Sequence, residues 1–555
     1  MGIRSASAVP NEVRVSADAL SVQVDAVRRS AADLAVGLSR AARRSATIAQ
    51  ERAVLRMLGV DGLDRAGRPL AASLAERYCG ADPGRLARGV ILPFVVAMIE
   101  YDMPPRELAL DGASGSIDLG LEAELLERPD RLAAAEKRAT ELIATALARF
   151  DANRTATHEM RDVLGLPPEP WLGVDLEATE VAAAVSEARS LVAGGADLIQ
   201  VRVPASWEFA EARRIAGLDT PGMFEFEEPG RREARRGGRR HQAKPLRAEP
   251  EPTPAGSQRG LASLRKAVDD AAAQRRCYAS LMTVTSAFAA PEQAVVAAFE
   301  RIDFVGADPI REIVEDNVDP ERALADHAFA HRLQARAGCR VVIGPGPLAL
   351  GADVASGVPS DSTTRAGRAL ALQALGVELA LADGVPADRL MLGAVPDWAA
   401  GDGDAGSILL QAWLRRAVFP GHRLVIGGEA SWLASSGGAG ALMSAMTGAP
   451  VSLVIEPGSA GAASAAATEL GAAAGTARAL RAAIGDGDLH GDAADLAVRT
   501  LGAARAVLER LSAEGWGSLL GPVGGRADSE RLGGSAVVER DDGPTSGDRL
   551  LRELV

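Results

Sequence analysis

Polar side chains stand at the ends of three predicted strands, and their types suit the binding of an anion. Arg202 and Ser206 come from the stretch VRVPASW, while Ser286 and Asp308 end the next two apolar runs. Arginine binds phosphate or carboxylate through paired hydrogen bonds, and serine hydroxyls can donate to the same oxygens. Arg202, Ser206 and Ser286 therefore predict a phosphate or carboxylate cradle. The alternative for Ser286 is a helix cap near Pro291, because serine favours that position.

The stretch Tyr278–Asp308 shows which elements would position these residues. It contains an apolar strand over Leu281–Ser286, a helix that begins at Pro291, and a second strand within Arg301–Asp308. Both strands become polar at their carboxyl ends. In an α/β barrel, that end of the strands carries the chemistry.

Strand and helix patterns alternate eight times after Trp171, which predicts an α/β fold of the (β/α)8 TIM-barrel type. The predicted strands are Trp171–Leu176, Asp197–Val203, Ala279–Ser286, Ile302–Asp308, Arg340–Gly344, Arg389–Ala394, Arg423–Gly427 and Val451–Glu456. The predicted helices between them are Glu180–Ala193, Arg259–Ala273, Pro291–Glu300, Pro320–Ala337, Thr364–Ala382, Ala405–Val418 and Gly437–Met446. A doubly wound sheet is the alternative, but no G-x-G-x-x-G follows a strand and no P-loop is present.

Three regions are predicted along the chain. Residues 1–165 form a helical accessory domain, residues 166–520 form the barrel, and residues 521–555 form a flexible tail. An arginine-rich insertion, residues 219–255, interrupts the barrel after its second strand, and its charge and low hydrophobicity predict disorder. A solvated surface loop is the expected role of the insertion, with binding of an anion or RNA as the alternative.

Composition excludes several classes of function. The net charge of −13 argues against nucleic acid as a partner. The three scattered cysteines indicate a reducing compartment rather than a disulfide framework. The longest apolar run, Val90–Ile99, is too short to cross a bilayer, and the first residues lack a signal-peptide pattern. We therefore expect a cytoplasmic protein with no membrane partner.

Two further patterns could suggest a metal or a cofactor. His327 and His331 lie four residues apart on a predicted helix, but no third ligand motif is near, so we expect no metal. Asp488-Leu489-His490-Gly491 begins like a cobalamin-binding signature, although Ala493 stands where the pattern needs glycine. We interpret it as a loop without that function.

The order of several short stretches resembles the α subunit of lysine 5,6-aminomutase. The stretches are ERAVLRMLGVDG, PEPW, the strand with Arg202, GSQRGLASLRKAVDD, TSAFAAPEQAVVAAFERID and RRAVFPGH. The resemblance covers about residues 50–520, apart from the insertion. It implies an isomerase of lysine degradation that depends on pyridoxal phosphate (PLP) and adenosylcobalamin. The reaction would be a radical 1,2-shift of the terminal amino group of lysine or a related small amino acid.

The resemblance also implies a division of labour between two subunits. A β subunit would carry the cobalamin-binding Rossmann domain and the lysine that forms the Schiff base with PLP. This chain has only three lysines, Lys137, Lys244 and Lys266, and none follows a barrel strand.

The resemblance implies the following residue roles. The cofactor-binding residues would be Arg202, Ser206 and Ser286. Glu292 matches the acidic residue of the family's P-E pair, and with Asp308 it is expected to bind substrate. The catalytic residues are not identified.

Three positions depart from the family pattern. Arg311 stands near the position of the tyrosine that stacks on PLP, GPGPLAL lacks the acidic residue after the fifth strand, and GGEASW lacks a lysine after the seventh. They leave open a different amino acid substrate or a loss of activity. The alternatives are therefore a non-catalytic scaffold barrel, or a barrel enzyme that acts on a phosphorylated small molecule.

Overall fold

The described amino-terminal part of the chain is mostly helical. The computed structural model describes residues 17–64, 68–79, 82–176, 181–201, 254–285, 289–314, 318–344, 362–394, 405–428, 447–454, 492–516 and 537–540. The first elements are α1 (Ala17–Ala42), β1 (Ser45–Thr47), α2 (Ile48–Met57), α3 (Leu70–Cys79), α4 (Pro83–Arg88), α5 (Ile91–Tyr101), α6 (Pro105–Ser114), α7 (Leu119–Glu122) and α8 (Pro129–Leu164).

Local sequence signals fix where these helices begin. The Thr47 hydroxyl accepts a hydrogen bond from the Gln50 amide at the start of α2, which satisfies an amide that has no partner within the helix. A 3-10 turn, Ala123–Glu127, separates α7 from α8, and α8 begins at Pro129 because proline suits a first turn and interrupts a continuing helix.

Eight parallel strands close into the predicted barrel. They are β2 (Trp171–Leu176), β3 (Leu198–Val201), β4 (Ser280–Val284), β5 (Phe304–Gly306), β6 (Arg340–Ile343), β7 (Leu390–Ala394), β8 (Arg423–Gly428) and β9 (Val451–Val454). Each strand pairs with the next in chain order, and β9 pairs with β2 to complete the ring. The TIM-barrel prediction is therefore confirmed.

Helices surround the barrel. They are α9 (Val181–Ala193), α10 (Pro254–Arg275), α11 (Ala290–Phe299), α12 (Pro309–Val314), α13 (Pro320–Ala337), α14 (Ser362–Ala382), α15 (Ala405–Val418) and α16 (Asp492–Glu514). The two ends of α13 show how the sequence defines such a helix. At its start the Asp319 side chain accepts a hydrogen bond from the Arg322 amide at 3.1 Å, and at its end Gly338 adopts a φ of 80°. The predicted helix Gly437–Met446 lies outside the described residues, as does nearly all of the insertion.

The barrel interior is a packed plug. Each strand contributes one buried apolar side chain to it: Trp171, Leu198, Met282, Phe304, Val342, Met391, Val425 and Val451. Alternate residues on the same strands, such as Leu172 and Ile199, face outward into the core beneath the helices. The plug closes the lower part of the barrel, so a ligand must enter from the carboxyl ends of the strands.

The accessory helices pack directly on the barrel. Ala290 and Phe329, from α11 and α13, share a buried cluster with α2, α3, α5 and α8. α1 packs elsewhere: its Val27 and Ala31 lie in the core between the barrel and its helices. The first helix therefore belongs to the barrel's outer layer, although residues 1–165 were predicted as one accessory domain.

Part of the predicted flexible tail is a strand. β10 (Val537–Glu539) pairs antiparallel with β1, and the Arg540 side chain donates from Nε to the Ser45 carbonyl at 2.9 Å. Residues 537–540 thus depart from the prediction, because the unpaired edge of β1 offers backbone partners. Among the described helices, none has both the length and the apolar character needed to cross a membrane.

Candidate functional site

The carboxyl ends of β3 and β4 are neighbours on one end of the barrel. Val201 is paired in register with Thr283, and neighbouring strands lie about 4.8 Å apart. Arg202 follows β3 directly, and Ser286 comes two residues after β4. Arg202, Ser206 and Ser286 themselves lie outside the described residues, so their convergence on one anion stays a prediction.

A guanidinium group lies at this same rim. Arg311, on α12, donates from Nη2 to the Thr285 carbonyl at 3.2 Å, and the Thr285 hydroxyl donates to the Gly306 carbonyl at 3.0 Å. These bonds tie the end of β4 to the end of β5. They bring the positive charge of Arg311 beside the residue that precedes Ser286.

Asp308 is a capping carboxylate behind the rim. Its Oδ1 accepts from the Ile310 amide at 2.9 Å, and its Oδ2 accepts from the Gly344 amide at 3.1 Å. Asp308 thus starts α12 and joins the end of β5 to the end of β6. Burial raises the pKa of this carboxyl, while His327 and Arg311 oppose the rise. Its predicted role in substrate binding is not tested by these contacts, which occupy both oxygens.

Two buried histidines lie behind Asp308, and each ring has a carboxylate neighbour. His327 Nε2 is 3.0 Å from Glu312 Oε1, and His331 Nδ1 is 2.9 Å from Asp383 Oδ2. Burial alone would lower the pKa of His327, but Glu312 and the nearby acids outweigh it and raise that pKa. The contacts pair each imidazole with an acid outside its own helix, which links α13 to α12 and to the turn that follows α14.

Glu292 lies in the contact between the accessory helices and the barrel. Its Oε1 accepts from Arg56 Nη1 at 2.6 Å, and Arg52 Nε is 3.9 Å from its Oε2. All three side chains are buried. Glu292 therefore joins α11 to α2, and the two predicted substrate-binding carboxylates, Glu292 and Asp308, have different partners on different elements.

Sequence reasoning missed two polar residues inside the barrel. On β2, Leu172, Val174 and Leu176 face outward, so Asp175 shares the inward face with Trp171. On β3, Gln200 shares the inward face with Leu198. The sequence did carry a signal for Asp175. It is the charged residue within the apolar run WLGVDL, and its even spacing of four residues from Trp171 places both on the same face of the strand.

The two lysines of the described residues lie on helices and not at the ends of barrel strands. Lys266 lies on α10, where its ammonium group is 3.1 Å from Asp270 and three quarters of the side chain is exposed. Lys137 is exposed on α8. Lys244 lies outside the described residues.

The chain matches the family model described as the D-lysine 5,6-aminomutase TIM-barrel domain of the alpha subunit. The match covers residues 18–206 and 255–426. It includes Arg202 and Ser206, and the gap within it falls on the arginine-rich insertion.

Two curated relatives are lysine 5,6-aminomutase alpha subunits. The one from Fusobacterium nucleatum is 24% identical over 376 residues, which is 67% of this chain and 64% of that protein. The one from Acetoanaerobium sticklandii is 22% identical over 370 residues, which is 67% of this chain and 63% of that protein. The chain thus spans somewhat less than two thirds of the length of the curated relatives that it matches.

Solved structures of dihydropteroate synthase are also similar. The enzyme from Anaplasma phagocytophilum, with bound 6-hydroxymethylpterin-monophosphate, is 13% identical at a TM-score of 0.33, covering 56% of this chain and all of the other. A TM-score this low supports no conclusion about function.

Proposed function

Because this chain belongs to the D-lysine 5,6-aminomutase alpha-subunit family, we propose that it is the barrel subunit of a PLP- and adenosylcobalamin-dependent aminomutase. The reaction moves the terminal amino group of lysine, or of a related amino acid, to the neighbouring carbon. The enzyme is then an isomerase whose active site is completed by a β subunit.

The observation that carries the proposal is the arrangement at the ends of β3, β4 and β5. A phosphate needs a cation and several hydrogen-bond donors around it. Val201 and Thr283 bring the two strands that precede Arg202 and Ser286 side by side, and Arg311 adds a guanidinium beside Thr285. These neighbouring strand ends and the nearby guanidinium support a site for the phosphate of PLP at this rim.

Bound PLP would hold the migrating amine and delocalise electrons, and adenosylcobalamin would supply the radical. The residues of this chain bind and orient. Arg202, Ser206 and Ser286 would hold the phosphate, and Arg311 adds positive charge to the same rim. The apolar plug beneath the mouth closes the barrel to water from the other end.

The lysines of this chain support a partner subunit. A Schiff-base lysine must reach the barrel mouth, yet Lys266 and Lys137 lie on outer helices among the described residues. We therefore propose that the β subunit supplies this lysine together with the cobalamin-binding Rossmann domain.

The test is PLP titration of the reconstituted α–β pair, followed by absorbance. A charged hydrogen bond contributes roughly 1.5–3 kcal/mol, so Arg202→Ala should weaken PLP binding by about ten- to a hundredfold. Arg189→Ala is the matched control, because Arg189 is exposed on α9 beside Asp270. Its affinity for PLP should equal that of the wild type.

Two results would contradict the proposal. Unchanged PLP affinity in a folded Arg202→Ala variant would favour a scaffold barrel. Borohydride reduction of the complex with PLP, followed by peptide mapping, should label the β subunit. Specific labelling of Lys266 or Lys137 would contradict the two-subunit arrangement.

A further inference from the structure

Two fully buried side chains on different helices meet directly behind the rim. Glu312 is on α12, next in sequence to Arg311, and His327 is on α13. The Nε2 atom of His327 lies 3.0 Å from Oε1 of Glu312, and the two side chains are 0% and 1% exposed. Among the described residues, neither ring nitrogen of His327 has a hydrogen bond to a group other than Glu312. The pair therefore links the helix that carries Arg311 to the helix behind it.

The position of Arg311 at the rim depends on where α12 lies. Asp308 caps the start of this helix, where its Oδ1 accepts from the Ile310 amide at 2.9 Å. On the other side, Arg311 Nη2 donates to the Thr285 carbonyl at 3.2 Å. α12 is only six residues long, Pro309–Val314, so it has few hydrogen bonds of its own. The contact that Glu312 makes with α13 therefore helps to decide where the guanidinium of Arg311 lies.

The other charged groups on the α13 side of His327 already have partners. Asp326, on the same helix, is paired with Arg322 at 2.6 Å. The ring of His331 lies 5.5 Å from the ring of His327, and its Nδ1 is 2.9 Å from Asp383. The balance of charge around His327 is therefore set by the groups that lie toward α12.

Two carboxylates and two cations make up that balance. Burial raises the pKa of Asp308, and His327 and Arg311 both oppose this rise. Burial would lower the pKa of His327, but Glu312 and Asp308 outweigh burial and raise it. With His327 protonated, the positive and negative charges are equal in number. Loss of that proton leaves two buried carboxylates facing Arg311 alone, and their attraction for its guanidinium weakens its hold on an anion at the rim.

We propose that His327 and Glu312 are positioning residues that keep Arg311 available to an anion at the rim, and that the proton on His327 controls this availability. The anion is a phosphate monoester, because this inference rests on the proposed function, in which the rim holds the phosphate of PLP. Affinity for the anion is then highest while His327 carries its proton. It falls as the pH rises above about 6.5, the ordinary pKa of histidine, and through the raised pKa of His327.

The experiment measures binding of pyridoxine 5′-phosphate to the full-length chain by calorimetry between about pH 7 and pH 9. This probe has the phosphate of PLP but no aldehyde, so it forms no Schiff base, and its phosphate is a dianion above about pH 7. Wild-type affinity should fall with pH by several-fold, and by at most about tenfold per pH unit for one proton.

Three variants test whether His327 is the group that titrates. His327→Gln should bind the probe more weakly at about pH 7 and lose the dependence on pH. Glu312→Gln removes one buried carboxylate, so it should keep its affinity as the pH rises. His331→Gln is the matched control, because His331 is also buried beside a carboxylate on α13 but does not contact α12. It should keep the wild-type fall in affinity.

A second measurement needs no ligand. At equal pH, His327→Gln should speed hydrogen exchange at the amides of α12 more than His331→Gln does, because only His327 is linked to Glu312. Equal exchange in the two variants would overturn the inference. So would a pH dependence of affinity that survives in His327→Gln or in Glu312→Gln, and the latter comparison decides the matter even if His327→Gln fails to fold.

Failure of the proposed function gives a different pattern of results. A wild type that does not bind the phosphate probe at any pH argues against the proposed function, while the exchange of α12 still tests the link between His327 and Glu312. Affinity for the probe that stays constant from about pH 7 to pH 9 leaves the proposed function intact and refutes only this inference.

Discussion

Glu292→Gln should destabilise the chain by breaking the buried ion pair between the accessory helices and the barrel. Glu292 and Arg56 are 2.6 Å apart, with side chains only 1% and 3% exposed. Removing one partner of a buried pair costs about 3–5 kcal/mol, because the other charge stays buried without compensation. Glutamine keeps one acceptor for Arg56, and Gln258 also accepts from Arg56 at 2.7 Å. We therefore expect a loss near the lower end, about 3 kcal/mol.

The assay is urea unfolding of the full-length chain, with the free energy of unfolding compared between variants. Glu141→Gln is the matched control, since Glu141 pairs with Arg138 at 3.2 Å on α8 and both side chains are about half exposed. Its loss should stay within about 1 kcal/mol. In the double variant Glu292→Leu with Arg56→Met, Glu292 and its nearer partner are removed together, while the buried Arg52, 3.9 Å from Glu292, keeps its charge. Part of the lost stability should therefore return, because apolar replacements of a buried pair are often neutral.

The same variants separate the structural role of Glu292 from its predicted role in substrate binding. The structural argument would be refuted if Glu292→Gln unfolded like the wild type while the assembled subunits lost affinity for lysine. If stability falls and the double variant restores both stability and lysine binding, the carboxylate acts through Arg56.

Two further outcomes are expected. Asp303→Asn should destabilise the barrel by about 3–5 kcal/mol, because Asp303 accepts from Arg265 at 2.9 Å, Arg161 at 2.6 Å and the Tyr278 hydroxyl at 2.6 Å. Burial alone would raise the pKa of Asp303, but the charges of Arg265 and Arg161 outweigh burial and hold that pKa below its usual value. Its stabilisation is therefore present above about pH 4, the unfolded pKa, and is lost as the pH falls through the lower folded pKa. The free energy of unfolding of the wild type should fall as the pH is lowered through the acidic range, and Asp303→Asn should weaken this dependence on pH. If the variant kept the pH dependence of the wild type, Asp303 would not be the group responsible. Truncation after residue 536 should expose the edge of β1 and speed hydrogen exchange at Ser45–Thr47, and exchange equal to that of the full chain would show that β10 does not protect it.

Continuous apolar runs were sufficient to locate all eight strands, because a parallel strand that is buried on both faces needs such a run. The strand ends were less predictable. The fourth strand was expected within Arg301–Asp308 but occupies only Phe304–Gly306. Arg301 has a φ of 56°, which is incompatible with an extended strand at that residue.

Contacts across long sequence separations could not be predicted at all. Nothing near Glu292 in the sequence indicates that its partner is Arg56, which is 236 residues away. The docking of β10 on β1 has the same character, with Arg44 and Arg540 joined through backbone atoms at 2.8 Å. Such contacts depend on which helices and strand edges pack against each other in the folded chain. A single sequence gives the residue types but does not show which elements are in contact.

The charges around the barrel mouth divide into those that hold the fold and those that face its interior. Asp308 accepts backbone hydrogens from Ile310 and Gly344, and Glu292 accepts from Arg56, so both carboxylates already support helices and strand ends. Asp175 differs, because strand parity turns it toward the barrel interior beside Gln200. GPGPLAL lacks an acidic residue after the fifth barrel strand, so it supplies no carboxylate there. The buried carboxylate on the first barrel strand thus lies inside the barrel, whereas the two predicted substrate-binding carboxylates hold backbone amides at the strand ends or an arginine of the accessory helices.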